Sequence, residues 1–247
     1  MRRNQVGIGF LSAAFATVFF AAAISRAAVQ EADTQSGTGF TVSNSDLLQA
    51  PGVAGAVNDT ALIFPDVSSG DLAVLTNGQF GDPGGSSDFS QNVAIHNGAV
   101  ITYTLNLATS PAGYNITNIS TYTGWADGGR DAQQYTVSYS TVLAPNTFLP
   151  IATVNYNPPP VVAPSDTRVV LTDSLGGNVA IATAKLQFSF PTVENGFVLY
   201  RELDVSGSAV PEPFGAAFIA LIGSWITMRR RRNEVLPLLL ALQTKCR

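Results

Sequence analysis

Between residues 29 and 209 the polar and apolar residues alternate with a period of two, and no stretch there carries a helical stripe. In "VITYTLNL" the apolar set is Ile101, Tyr103, Leu105 and Leu107. In "QYTVSYSTV", Tyr135, Val137 and Tyr139 alternate with Thr136, Ser138 and Ser140. "KLQFSF" aligns Leu186, Phe188 and Phe190, and "GFVLYRELDV" aligns Phe197, Leu199, Leu203 and Val205 with Arg201 among them. Successive side chains of a strand point to opposite faces, so this rhythm predicts half-buried strands. Further strands are predicted at 40–42, 61–64, 116–122, 148–154 and 168–172. Turns are marked by "GDPGGSSD", "SPAGYN", "YNPPP", "LGGN" and "ENG". About nine strands with no internal repeat predict a single all-β sandwich or jelly roll. The proline-rich stretch at 155–166 reads as a loop between strands, and "DVSGSAVPEP" as a short linker after the body.

The two ends do not belong to that body. Arg2 and Arg3 precede an apolar run from Val6 to Ile24, and small residues follow at Ser25 and Ala27. This is the pattern of a signal peptide over 1–28, cut after Ala27 or Ala28. At the other end, Phe214 to Met228 carry no charge. As a helix, 214–228 spans about 22 Å against a hydrocarbon core of about 30 Å, short for a lasting anchor. Arg229, Arg230, Arg231 and Arg232 hold its end on the cytoplasmic side. Pro211 and Pro213 keep "VPEP" out of that helix. Residues 233–247 form a cytoplasmic tail with no assigned role, containing the chain's one cysteine, Cys246. The exported body therefore has no disulfide.

Charge narrows the partners. From Val29 to Pro213, sixteen Asp and Glu stand against Arg130, Lys185, Arg168 and Arg201, twelve more acids than bases. Nucleic acid, whose phosphates require Lys and Arg, is excluded as a partner.

The succession Val210, Pro211, Glu212, Pro213, a short membrane helix and an arginine cluster resembles the PEP-CTERM sorting domain of Gram-negative bacteria. It covers about a tenth of the chain, 210–232. The resemblance implies an exported protein held transiently in the inner membrane. It implies processing by an exosortase and delivery to the outer envelope or the extracellular polymer matrix. Family members usually stop soon after the arginines, whereas this chain adds "NEVLPLLLALQTKCR".

A second resemblance lies in the body, over 72–207. "TYTGWADGGRDAQQYTVSYS", "ATAKLQFSF" and "VLYRELDVSG" are similar to the galactose-binding-like jelly roll of discoidin-type modules. It implies a carbohydrate- or surface-polymer-binding body, often with a structural calcium ion; fold likeness does not by itself establish binding.

Within "GWADGGRD", Trp125 can stack on a sugar ring while Asp127 and Arg130 hydrogen-bond its hydroxyls. The competing structural role, which the pattern favours, has Trp125 capping the core and Arg130 paired with Glu202 or Asp204. Asp82 and Asp88 offer hard oxygen ligands for calcium in a glycine-rich loop, without the spacing of a dedicated calcium loop. Catalysis has few materials. His96 is the sole histidine, and no nucleophile elbow is present. Glu202 and Asp204 supply two members of a laminarinase-type E-x-D-x-x-E run, but Gly207 stands where the third should be. The reading is a non-enzymatic envelope or matrix protein. A secreted carbohydrate-active hydrolase and a structural matrix subunit without ligand remain the alternatives.

Overall fold

The computed structural model describes residues 28–63, 71–83, 89–159 and 163–212. Residues 1–27 of the predicted signal peptide, Pro213, the predicted helix at 214–228, Arg229 to Arg232 and the tail lie outside the described residues. Among the described residues no helix is long and apolar enough to cross a membrane.

Ten strands build the body: β1 (Val29–Ser36), β2 (Ala54–Val57), β3 (Val93–His96), β4 (Ala99–Thr104), β5 (Tyr114–Trp125), β6 (Gln133–Thr141), β7 (Ala144–Tyr156), β8 (Ser165–Asp173), β9 (Ala180–Phe190) and β10 (Phe197–Ala209). All pairings are antiparallel. One layer runs β1-β8-β5-β10-β3, the other β7-β6-β9-β4-β2, and they join where Tyr114 and Ile116 of β5 pair with β9. The result is an all-β sandwich of jelly-roll type. Its core is lined by Ile101, Tyr103, Tyr135, Val137, Leu186, Phe188 and Phe190 from one layer and Ile116, Ile119, Val169, Leu171, Tyr200 and Leu203 from the other. Tyr135 bridges the layers, its ring 5.9 Å from Phe188 and 6.4 Å from Tyr200. These edge-on and tilted contacts add to the area the rings bury.

Most predicted strands are present, with instructive exceptions. Residues 40–42 form no strand, and the predicted strand at 61–64 is replaced by a short 3-10 turn, Thr60–Leu62, capped by Asp59. The side chain of Asp59 accepts from the Ala61 N–H, offering the backbone a local partner in place of a neighbouring strand. Three strands escape the alternation. β1 is polar because it is an edge strand with four of its eight residues exposed. β2 is the short run "AGAV", and Gly55 lies so close to the Tyr103 ring that an added Cβ would sit 2.8 Å from it. β3 is the four-residue run "VAIH". The predicted linker is not a linker: residues 204–209 complete β10, paired residue by residue with β5 as far as Ala209 and Tyr114.

The facing of β10 also departs from simple alternation. Its register against β5 shifts between Tyr200 and Glu202, leaving Arg201 as an extra residue. Such a bulge reverses the in–out order beyond it. Val198, Tyr200, Leu203 and Val205 therefore join the main core, while Leu199, Arg201, Glu202 and Asp204 do not. The second set is nonetheless buried, because the described stretches 37–49 and 71–80 fold over the outer face of this layer. There Phe40, Phe80 and Tyr122 form a three-ring cluster with centroids 5.9 to 6.2 Å apart. Arg201 is fully buried beside it, its guanidinium 4.9 Å from the Phe80 ring, donating to the Phe80 carbonyl at 3.0 Å and facing Asp166 at 3.8 Å.

Gly124 makes this ion pair fit. A Cβ at position 124 would collide with the Asp166 carboxylate and stand 2.5 Å from Arg201 Nε. Gly124→Ala is expected to separate the pair and to destabilise the protein by about 3 kcal/mol, roughly 10 °C in the thermal midpoint. Circular dichroism melts of the full-length variant and parent in the same detergent check this.

Candidate functional site

The residues singled out in "GWADGGRD" occupy the turn between β5 and β6. Trp125 ends β5, and at Gly128 an added side chain would meet no neighbour, so the tip of the turn is open, while Asn195 Nδ2 donates to the Gly129 carbonyl beside it. The Asp127 carboxylate accepts from the Gly129 N–H at 2.9 Å and closes the turn on itself. Asp127 is exposed; Trp125 and Arg130 are half-buried. The base of the turn is tied down from two sides. The Glu194 carboxylate accepts from the Asp131 and Ala132 N–H groups, each at 3.2 Å. Below it, the Asp131 carbonyl accepts from Thr123 and Thr167 hydroxyls at 2.7 and 2.8 Å, and the buried Asp131 carboxylate accepts from the Ser165 hydroxyl.

Arg130 does not pair with Glu202 or Asp204, as the structural reading of the sequence expected. Its guanidinium lies 3.7 Å from the Phe197 ring and 5.3 Å from the Trp125 ring, a cation held between two π faces. Phe197 in turn packs on His96, with centroids 5.3 Å apart. The bulge at Arg201 explains the difference, because Glu202 and Asp204 lie further along β10 under the covering segment. Nothing in the sequence pattern brought Phe197 and His96 to this turn; their opposition follows from the β3–β10 register, Phe197 against His96. The turn thus offers an aromatic edge, a partly shielded guanidinium and an exposed carboxylate, a small mixed surface of the type that meets sugar hydroxyls.

Asp82 is exposed, and Asp88 lies outside the described residues. The acids that meet are different ones. Asp46, Glu202 and Asp204 each offer an oxygen, all within 4.8 Å of one another. Each carboxylate is steered by a backbone donor. Asp46 Oδ1 accepts from Leu48 N at 2.7 Å and Val205 N at 3.3 Å. Glu202 Oε1 accepts from Gly78 N at 3.1 Å, and Asp204 Oδ2 accepts from Ser43 N at 2.9 Å and the Tyr122 hydroxyl at 3.0 Å. The second oxygens, Asp46 Oδ2, Glu202 Oε2 and Asp204 Oδ1, are buried without a hydrogen-bond partner. Glu202 is 0% exposed, which also puts it out of reach of a polymer substrate. Beside Asp46 opens a polar cleft of about 440 Å³ lined by Ser43, Ser45, Leu47 and Ser206. Three convergent carboxylates with orphaned oxygens form a donor set that can hold a hard divalent cation. Asp46 gave no signal in the sequence; the structure shows it capping the turn Leu47–Gln49 and meeting Glu202 and Asp204 there.

Without a cation, like charges in a dry place drive protons on. The Glu202 carboxyl is pushed up to about 9, first by burial and then by Asp204 and Asp46, against the hydrogen bonds of Gly78 and Asn77. Burial raises Asp46 and Asp204 as well.

No protein-family model matches the chain, and no curated protein matches it. Among solved structures, the CpGH89CBM32-5 module of Clostridium perfringens, in complex with GalNAc-β-1,3-galactose, is similar over 66% of this chain and 99% of its own, at 16% identity and a TM-score of 0.42. The family 32 carbohydrate-binding module of NanJ from C. perfringens, in complex with galactose, is similar over 70% of this chain and 98% of its own, at 10% identity and a TM-score of 0.37. Allantoicase is similar over 66% of this chain and 43% of its own, at 12% identity and a TM-score of 0.42. At such scores the likeness decides neither ligand nor activity, and the sandwich architecture rests on the strand pairing of this chain itself.

A pH dependence follows from the buried triad. In chelator, the folded protein keeps a proton on Glu202 between its ordinary 4.5 and about 9, while the unfolded chain has lost it. The unfolded state binds fewer protons there, so stability declines as pH rises through that window. Glu202→Gln is expected to reduce the decline. Melting midpoints of parent and variant from pH 5 to 9 in EDTA check it.

Proposed function

We propose that this chain is an exported bacterial envelope or matrix protein, a non-catalytic β-sandwich that meets extracellular polysaccharide. Residues 1–28 direct export, 29–209 form the body, 210–232 form the sorting signal, and an exosortase acts near Pro211 and Pro213. The membrane stay through 214–228 is transient, with Arg229 to Arg232 inside. The tail at 233–247 has no role in this reading.

One observation carries the sorting reading. β10 delivers the motif directly: the Val210 N–H donates to the Gly113 carbonyl at 2.9 Å, and Pro211 and Glu212 then emerge exposed, outside any strand. A processing enzyme needs accessible backbone of that kind at the motif. Deleting 211–213 is expected to leave the protein in the inner-membrane fraction. Cell fractionation, with mass spectrometry of the mature C-terminus, reads the outcome, and unchanged release of the deletion variant refutes exosortase sorting.

For the body, Trp125, Asp127 and Arg130 supply a point contact suited to sugar hydroxyls. The buried carboxylates count against hydrolysis by Glu202 and Asp204, since a catalytic carboxylate must reach the glycosidic oxygen. Asp46, Glu202 and Asp204 are read as the holders of a structural calcium ion, which would neutralise them and clip the covering segment to β10. At one hundred times its dissociation constant, calcium would add about 2.7 kcal/mol to stability. A rise of several degrees in the thermal midpoint of chelator-stripped full-length protein is expected, absent in Glu202→Gln. A variant that still responds to calcium rules the triad out as the site.

A further inference from the structure

The two layers of the sandwich divide the charge unequally. β1, β8 and β10 carry Glu31, Asp33, Asp166, Arg168, Asp173, Arg201, Glu202 and Asp204. In the other layer, across all residues of β2, β4, β6, β7 and β9, Lys185 is the one charged residue. A body with twelve more acids than bases has thus kept one whole sheet nearly free of ions.

Apart from Val100, Pro150 and Lys185, the outward positions in the middle of that sheet are hydroxyls and carboxamides in rows across the strands. The register sets Thr153 opposite Thr136, Thr136 opposite Ser189, and Ser189 opposite Val100. The next row is Ser138, Gln187 and Thr102. On the other side, Gln134 stands opposite Asn155. The rows are wired by side-chain hydrogen bonds: Thr136 to Thr153 at 3.0 Å, Gln187 Nε2 to the Thr102 hydroxyl at 3.2 Å, and Gln134 Nε2 to Asn155 Oδ1 at 3.4 Å. Thr153 and Asn155 are exposed, and Thr102, Gln134, Thr136, Ser138, Gln187 and Ser189 are half-exposed. A shallow groove of about 290 Å³ crosses the rows between Gln134, Thr136, Thr153, Asn155, Pro191 and Thr192.

We propose that this face binds a neutral polysaccharide along its length, as the extended contact of which the Trp125 turn is at most one end. The proposal rests on the polymer-binding reading of the body. Hydroxyl and carboxamide groups both donate and accept, as sugar hydroxyls do, and binding them strips no ion of water. Strands about 4.8 Å apart, with outward residues about 6.8 Å apart along each, give a regular lattice of such groups. The cross-strand hydrogen bonds hold the side chains in place beforehand, which lowers the entropy lost on binding. Charge selects the polymer class. The acidic body repels a polyanion, and a polycation finds carboxylates on the opposite layer, not here. A second copy of the chain is a poor occupant, because no outward Trp, Tyr, Phe or Arg stands among these rows to anchor a protein interface.

The test uses full-length protein in detergent and co-sedimentation with curdlan (a neutral glucan), agarose (a neutral galactan) and pectate gel (a polyanion). Retention on at least one neutral glycan, and not on pectate, is expected. The pair Thr136→Glu and Gln187→Glu is expected to weaken that retention at least tenfold with the melting midpoint kept, and Thr136→Ser with Gln187→Asn to restore it. Should the double variant not fold, Thr153→Glu, exposed on edge strand β7, makes the same measurement. Trp125→Ala with Arg130→Ala is expected to keep most of the retention. Loss of retention in that loop variant alone overturns the face and leaves polymer binding standing. Retention unaffected by the face variants, or a preference for pectate, also overturns the face. No retention on either neutral glycan removes both the face and the polymer-binding reading. A dimer of the parent that the face variants convert to monomer in sedimentation velocity assigns the face to a second copy and overturns the proposal.

Discussion

The fold of this body turns on buried carboxylates that hold down a segment with almost no regular structure of its own. The described stretches that cover this layer, 37–49 and 71–80, contain only the 3-10 turns Leu47–Gln49 and Leu72–Thr76. Such a stretch has backbone N–H groups with no ladder to join, and burying them unpaired is costly. Asp204 accepts from Ser43, Glu202 from Gly78, and Asp46 from both Leu48 and Val205. Arg201 contributes in the opposite sense, donating to the Phe80 carbonyl. Four charged groups, three of them consecutive or nearly so in β10, thus fasten an irregular cover to the outer face of a sheet. The arrangement gives the layer a second, partly polar core around Phe40, Phe80 and Tyr122.

Concentrating ionised groups in one layer has a chemical consequence for the other. The β2, β4, β6, β7 and β9 layer needs no cover, since most outward residues of its middle strands are hydroxyls and amides that water or a glycan can satisfy equally. Its edge strand β7 tolerates Pro150, which lacks an N–H, at a register irregularity. One layer is therefore a locked structural base and the other an open surface, joined at β5 and β9. The chain leaves the body from the locked side, at the end of the strand that carries the buried charges.

Much of this was legible in the sequence. The alternation in β4, β6 and β9 fixed which residues face inward, and Ile101, Tyr103, Tyr135, Val137, Leu186, Phe188 and Phe190 are all buried as the pattern requires. Edge and cover elements were less legible. β1 is polar and half-exposed, so no hydrophobic rhythm betrays it, and the turn at Thr60–Leu62 imitates a strand because Ala61, Leu62 and the following Ile63 are apolar. The Trp125 turn was recognisable as a compact cluster, whereas the partner of Arg130 was not. A guanidinium accepts an aromatic face as readily as a carboxylate, and only the position of Phe197 decided between them.

By itself the sequence determined the class of fold and the acidic balance. These are local properties: periodicity and counts of charge. The tertiary structure decided what depends on register. One extra residue at Arg201 turned Glu202 and Asp204 away from the core, and a distant Asp46 met them there. Strand order, not composition, gathered β2, β4, β6, β7 and β9, whose one charge is Lys185, into one layer. Register and strand order are set by contacts between residues far apart in the chain, such as Asp46 with Val205, and no local pattern encodes those distances.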